Sequence, residues 1–267
     1  MSDLARYGDW ALVTGASAGI GTAFARAMAS QGLNLVLVAR RKERLRSLAS
    51  ELSKSHGVTC RVIPLDLSEG NAIREVREQV ADVSIGILVN NAGVGYSGRF
   101  ENLDPDRLAR MIHLNCVAPV LLAKTFLPSM IERGKGALIF LASISSFLPV
   151  PFDAVYGATK AFDLYLGEAL WAELRPTGVD VINVCPYLTK TEFFQAEGMG
   201  SEATRQAMKR AQNPDDVVRL ALRNLGRKPT TAPWPTVLAA LASRVVPRRL
   251  MALVMRRHMA ELHFDQI

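Results

Sequence analysis

Apolar residues in this chain come in short blocks separated by longer amphipathic stretches. Near-continuous apolar runs such as ALVT, LVLVA, ALIFLA and VDVINVC mark candidate strands. These are Trp10–Thr14, Leu33–Ala39, Thr59–Pro64, Ile85–Asn90, Gly136–Ala142 and Asp180–Cys185. Strands without alternation are expected where helices cover both faces of a parallel sheet. Between them lie helical stretches, among them Ile20–Gln31, Arg41–Ser55, Asp106–Arg133 and Val155–Arg175, with a break expected near Pro119. Strands alternating with helices of this length build βαβ units. The predicted class is α/β, a doubly wound parallel sheet with helices on both faces, in one domain spanning 1–267.

After Cys185 the alternation stops. Residues 187–212 are polar and glycine-containing, and read as a mobile segment with short helices. Asn213 and Pro214 supply the cap and first turn of a helix reaching Gly226. Pro229, Pro233 and Pro235 then punctuate a short strand or turn. The remainder, about 236–267, reads as an apolar helical extension carrying Arg244, Arg248, Arg249, Arg256 and Arg257. Its stripe of Met251, Met255, Met259 and Leu262 suits a helix packed on its own subunit or a twin. It equally suits a lid over a lipophilic ligand, or an interfacial helix with arginines at lipid headgroups.

Composition narrows the classes. With 49% hydrophobic and 21% charged residues in 267, the chain is neither disordered nor a collagen-like or disulfide scaffold. Cys60, Cys116 and Cys185 form no CxxC pair, which points to a reducing, cytoplasmic setting. No metal is expected, since His56, His113, His258 and His263 have no ligand spacing either. The start, MSDLARYGDW, lacks a signal-peptide pattern, and no run reaches the roughly 18 uninterrupted apolar residues of a membrane span. The net charge is +7, and residues 201–267 alone carry 12 Lys and Arg against 5 Asp and Glu. The whole excess therefore sits in the last quarter, facing an acidic partner, a phosphorylated ligand or anionic lipid. Nucleic acid is not expected, because only Trp234 and Phe264 lie among those arginines.

The strongest local motif is Thr14-Gly15-Ala16-Ser17-Ala18-Gly19-Ile20-Gly21, directly after the first strand and opening a helix. Glycines there let the backbone approach a pyrophosphate, and the helix N-terminus offers free N–H groups to it. The second strand ends Ala39-Arg40-Arg41-Lys42, without the acid that would bind a ribose 2′-hydroxyl. Arginines in that place suit a 2′-phosphate, so NADP(H) is expected over NAD(H). Asp66-Leu67 and Asn91-Ala92-Gly93 fall at further strand ends, the edge where parallel sheets bind ligands. Tyr156 and Lys160 are i and i+4 on one helical face. The ammonium favours phenolate over a phenol whose ordinary pKa is about 10, which suits proton transfer near neutral pH.

The ordered set TGASAGIG, NNAG, Asn115, Ser143, YGATK and the Pro186 loop resembles the short-chain dehydrogenase/reductase family over about residues 8–230. The resemblance implies a Rossmann-type fold with a sheet of about seven strands. It implies that Tyr156 is the acid/base and that Ser143 binds the substrate oxygen. Lys160 would hold the nicotinamide ribose, and Asn115 would anchor a water chain. Gly15, Ser17, Ala18, Gly19, Ile20, Gly21, Arg40 and Arg41 would bind cofactor, with Asp66 and Leu67 beside the adenine. Asn91, Ala92, Gly93, Pro186, Thr189 and Thr191 would complete that site with Tyr156 and Lys160. Ser145, Phe147, Phe152, Tyr187, Phe193 and Phe194 are the expected substrate contacts.

Tyr187 departs from the family's usual glycine. Pro-Tyr here, with LPVP and the apolar tail, is similar to a branch containing 17β-hydroxysteroid dehydrogenases, very-long-chain 3-oxoacyl-CoA reductases and soluble bacterial relatives. The expected activity is NADPH-dependent reduction of a hydrophobic ketone, 3-oxoacyl or ketosteroid-like, by a homodimer or homotetramer. The alternative is a cofactor-binding sensor or scaffold without turnover, which need not have kept Asn115, Ser143, Tyr156 and Lys160 together.

Overall fold

The computed structural model describes residues 3–193 and 202–263. Strands β1 (Trp10–Thr14), β2 (Asn34–Ala39), β3 (Cys60–Pro64), β4 (Ile85–Asn90), β5 (Gly136–Leu141), β6 (Val179–Val184) and β7 (Thr230–Thr231) form one sheet. Its order is β3-β2-β1-β4-β5-β6-β7, and every pairing is parallel. Strand order reverses between β1 and β4, which opens a crevice at their carboxyl ends.

The unbroken apolar runs divide by period two between two cores. Ala11, Val13, Leu35, Leu37, Ile87, Val89, Ile139 and Ile182 face one cluster. Their neighbours Leu12, Val36, Val38, Leu88, Leu138, Phe140 and Val181 face the other. The first core is covered by α1 (Gly19–Ala29), α2 (Lys42–His56) and α8 (Pro214–Asn224). The second is covered by α3 (Ala72–Gln79), α5 (Ala118–Glu132) and α6 (Ala154–Glu173). Phe24 on α1 and Phe140 on β5 are fully buried, one in each core. Truncating either to alanine would cost about 3–5 kcal/mol.

Helix boundaries follow capping chemistry. Asp104 Oδ1 accepts the amide of Arg107 at 2.8 Å, and Pro105 opens α4 (Pro105–Ile112). Asn213 does the same for α8 through the amide of Asp215 at 3.0 Å. The break expected near Pro119 is a change of pitch: a π turn at His113–Val117 joins α4 to α5. Proline is tolerated there because it occupies the first turn of α5. The combined helix, Pro105–Glu132, is long and apolar enough to cross a membrane by length and composition. That departs from the sequence expectation, but Leu122, Phe126 and Met130 are buried in the second core, so this is a core helix. The tail is two helices, α9 (Trp234–Val245) and α10 (Arg248–His263), divided at Pro247. The remaining helix, α7 (Glu202–Lys209), lies in the 187–212 segment.

Candidate active site

Thr14 Oγ1 ties the crevice together. It donates to Val89 O at 3.0 Å and accepts the amides of Asn91 and Ala92, each at 2.9 Å. The Asn91 side chain returns a bond to Thr14 O at 2.8 Å. Gly15 adopts φ +65°, and a Cβ there would come within 2.7 Å of Asn91 Nδ2. A Cβ at Gly21 would overlap the Gly15 carbonyl, so helix and turn touch backbone to backbone. The N-cap of α1 is Ala18, which makes no side-chain cap bond, and the first turn holds no acid. Its leading amides remain available to an anion, and the residues fit a pyrophosphate.

Beside this turn the expected arginines have partners. Arg40 Nη1 lies 3.7 Å from Asp66 Oδ2. Arg41 Nε donates to Ser17 Oγ at 3.2 Å, while its Nη1 reaches Glu192 Oε2 at 2.6 Å. Arg44 donates to both Glu192 oxygens, at 2.7 and 2.8 Å. These hydrogen bonds hold the Glu192 carboxyl below its usual range. An anion does sit on the basic start of α2, and it belongs to the chain itself.

Ser143 follows β5 and caps a single 3-10 turn, its Oγ accepting the Ser145 amide at 3.1 Å. The Ser143 amide donates to Ser146 Oγ at 3.2 Å, and that hydroxyl donates onward to Lys160 O at 2.7 Å. The Ile144 amide donates to Pro186 O at 3.0 Å, fixing the start of the 187–212 segment against this turn. Tyr156 and Lys160 are buried on α6, with Lys160 Nζ 6.0 Å from the Tyr156 ring centroid. The Tyr156 ring packs at a tilt on Phe193, centroids 5.4 Å apart. Lys160 Nζ donates to Leu141 O at 2.7 Å and to Asp163 Oδ2 at 3.0 Å.

Asn115 lies in the π turn, a distortion that recurs at functional sites. Its side chain accepts the Val94 amide at 3.0 Å and donates to Val94 O and Thr159 Oγ1 at 2.9 and 3.0 Å. It thereby clamps the loop after β4 to α6. Gly93 packs into the same corner, where an added Cβ would lie 3.3 Å from Asn115 Oδ1 and 3.4 Å from Lys160 Nζ.

One cleft of about 780 Å³ joins these parts. Ser17, Ala18, Gly19, Ile20, Leu67 and Thr189 line it with the other expected cofactor residues, except Gly21, which lies behind Gly15. Thr191 lines it as well, against Gly19. Ser143, Ser145, Tyr156, Lys160, Tyr187 and Phe193 line the far half. Asn115 stands behind the wall, 1% exposed.

Two of the expected substrate contacts do not line this cleft. Phe147 packs against Ala142, Leu164 and Cys185, and Leu148 takes the position on the cleft. Phe152 has φ +65° and offers its carbonyl to the Gly98 amide at 2.7 Å, while Val150 and Asp153 line the wall. The 3-10 turn and the bend at Phe152 set which side chains face inward, and residue type alone does not report that. Phe194 lies outside the described residues.

Several residues of this site are absent from the expected cofactor and substrate contacts. Asp153 is buried beside the cleft and accepts Ser97 Oγ at 3.1 Å; burial raises its carboxyl to about 6. Thr14 carried a legible signal, as the last residue of β1. Glu192 carried none, because its arginine partners are nearly 150 positions away. The tail supplies Met255, His258 and Met259 to the cleft. The one-turn spacing of the methionines is visible in the sequence, and the structure turns Met255 and Met259 of that stripe into the cleft; the Leu262 side chain lies outside the described part.

The short chain dehydrogenase family profile matches residues 9–201. The chain belongs to the short chain dehydrogenase family. It is 33% identical to the Homo sapiens very-long-chain 3-oxoacyl-CoA reductase over 228 residues, covering 84% of this chain and 70% of that one. It is 36% identical over 200 residues to the Gallus gallus hydroxysteroid dehydrogenase-like protein 1, covering 74% of this chain and 60% of that relative. The human protein named inactive hydroxysteroid dehydrogenase-like protein 1 matches at 33% over 249 residues, 92% of this chain and 74% of its own length. Among solved structures, a Sphingobium yanoikuyae short-chain dehydrogenase in complex with NADPH superimposes with TM-score 0.79. It is 33% identical and covers 97% of this chain and 95% of that one. The bulky-bulky ketone specific alcohol dehydrogenase of Comamonas testosteroni superimposes at 0.74, with 34% identity over 97% and 94%. The two solved structures share this chain's short-chain dehydrogenase/reductase fold, and the very-long-chain 3-oxoacyl-CoA reductase and hydroxysteroid dehydrogenase-like relatives are those of the branch anticipated from Pro186-Tyr187, LPVP and the apolar tail.

Proposed function

We propose that this chain is an NADPH-dependent carbonyl reductase acting on lipophilic ketones. The observation that carries the reading is the placement of Ser143, Tyr156 and Lys160 on one cleft wall, between an uncapped glycine turn and an apolar far end. The nicotinamide, when bound, supplies the hydride. Tyr156 gives its phenolic proton to the carbonyl oxygen, and Ser143 Oγ hydrogen-bonds the same oxygen as charge builds there. Lys160 orients the cofactor ribose. Asn115 holds the loop carrying Gly93 and Val94, which keeps that side of the cleft in register. Arg40 and Arg41 favour a 2′-phosphate.

The far end suits a long or bulky substrate. Tyr187, Phe193, Met255 and Met259 supply apolar walls, and Arg107 and Arg110 stand at the rim. Arginines there suit the anionic end of an acyl thioester better than a neutral steroid. We expect turnover to rise along a chain-length series of 3-oxoacyl-CoA esters, followed as loss of NADPH absorbance, and to vanish in Tyr156→Phe. Silence toward acyl esters with intact NADPH binding would redirect the search to steroids and aromatic ketones. Silence toward every ketone would favour the scaffold reading, which the relative named inactive keeps open.

The tail supports delivery from a lipid surface. Trp234, Leu238, Leu241 and Val245 on α9, and Leu253 and Val254 on α10, are exposed beside Arg244, Arg248, Arg249, Arg256 and Arg257. Pairing that face with a copy of itself would oppose like charges, whereas anionic headgroups complement it. Flotation with anionic but not neutral vesicles is the expected result, and equal recovery with both would refute the contact. Exposed Leu121, Ile131, Phe162 and Tyr165 on α5 and α6 support a homo-oligomer through those helices, testable by light scattering.

A further inference from the structure

A buried acid stands beside the ammonium that this reading makes functional. Asp163 lies three residues beyond Lys160 on α6, and the two side chains are only 5% and 6% exposed. Nζ of Lys160 spends one N–H on Asp163 Oδ2 and another on Leu141 O. Two of its three donors are therefore committed within the chain. Asp163 Oδ1 has no hydrogen-bond partner among the described residues.

Stability gives no reason for the acid. A buried ion pair commonly contributes no more than an apolar pair of the same volume, because desolvation offsets the attraction. Burial here raises the Asp163 carboxyl above its usual range, against the pull of Lys160. Besides Tyr156, two thiols among the described residues bear on the pair, Cys116 from the π turn and Cys185 after β6. Burial pushes Cys116 up to about 11 and Cys185 higher still, so both are neutral at physiological pH. Glu168, further along α6, bears on Cys185. Lys160 is the cation that acts on Asp163.

We propose that Asp163 is a positioning residue that draws the Lys160 ammonium toward β5 and moderates the charge it presents to Tyr156 and the cofactor ribose. The proposal rests on the Tyr156–Lys160 reading above. An ammonium paired at 3.0 Å acts at the Tyr156 ring, 6.0 Å away, as one end of a dipole, whose field falls faster than that of a lone charge. The phenol keeps its proton to higher pH, which suits an acid that protonates a ketone. One ammonium N–H is left for the ribose. Asp163 thus biases the site toward reduction.

The test is Asp163→Asn, which keeps an oxygen for Nζ and removes the charge. Phenol ionisation is followed by ultraviolet difference absorbance in cofactor-free protein, with Tyr156→Phe subtracting the other tyrosines. Tyr156 is expected to ionise about one pH unit lower in the asparagine variant. NADPH, titrated by fluorescence, is expected to bind about threefold more tightly as the ammonium is released. Alcohol oxidation near neutral pH should gain while ketone reduction falls, a split that loss of stability alone does not produce. Asp163→Leu carries the same test if the asparagine variant fails to fold. An unchanged or raised Tyr156 midpoint in a folded variant, with unchanged NADPH affinity, overturns the proposal whatever the melting temperature does. Failure of the unaltered protein to bind NADPH would overturn the functional reading, and the cofactor-free titration would still decide Asp163.

Discussion

The two halves of the cleft are built by different means. At the cofactor end, main chain touches main chain: the Gly15 turn, the start of α1 and the Asn91 loop are locked by Thr14 and by glycines with no room for a Cβ. At the other end, side chains from remote elements line one cleft, Tyr187 and Phe193 after β6 together with Met255 and Met259 from α10. The first half suits a nicotinamide cofactor, the kind of ligand the short-chain dehydrogenase fold binds. The second is assembled from loops and a tail, where a change of side chain alters the pocket without disturbing the sheet.

That contrast can be broken most sharply at its seam. Tyr156→Phe should cut ketone reduction by about 10²–10⁴-fold while leaving NADPH binding intact, because only the transferable proton is lost. Loss of cofactor binding in that variant would show that the halves are not separable. Gly15→Ala should do the reverse. Strain at φ +65° and a Cβ 2.7 Å from Asn91 Nδ2 should cost about 1–3 kcal/mol in thermal unfolding and weaken NADPH for every substrate alike.

Asp153 sharpens the comparison through pH. Burial penalises the charged form and pushes its carboxyl up to about 6 from an ordinary 3.8. A raised acid contributes its stability below the ordinary value, and that contribution is lost as pH rises through about 6. Asp153→Asn should therefore raise the melting temperature near pH 8, by the equivalent of about 1–3 kcal/mol, and change little near pH 3. The smallest expected effect is at Glu192. Glu192→Gln frees Arg41 and Arg44 and should tighten NADPH a few-fold while leaving NADH unchanged, measured by fluorescence titration; the partners are about half exposed, so water screens much of the attraction. Equal effects on both cofactors would separate Glu192 from the 2′-phosphate.

Legibility in the sequence followed the same divide. The six apolar runs, the glycine turn and the Tyr156–Lys160 spacing are local patterns, and each lies within a residue or two of where the structure puts it. The strand Leu33–Ala39 starts one residue late, and Asp180–Cys185 is shifted one residue toward the N-terminus, differences of hydrogen bonding at frayed ends. Phe147 and Phe152 stand off the cleft wall, because aromatic character does not say which way a side chain faces after a 3-10 turn. Glu192 was beyond reach, since its partners depend on how the chain returns from β6 to α2. Asp163 was in view as the third residue after Lys160, but a helix position shows its depth only once β5 and the π turn pack on it.

Ser146 carries a consequence for how variants of this site are measured. One hydroxyl receives the Ser143 amide and donates to the Lys160 carbonyl, so it braces the strand end against the helix bearing Tyr156, beside the bond from Lys160 Nζ to Leu141 O. Effects of substitutions at Ser143 and Lys160 should therefore not sum. A double-mutant cycle across them, repeated in a Ser146→Ala background, would report how much of their coupling energy travels through that oxygen and how much through the substrate they jointly hold.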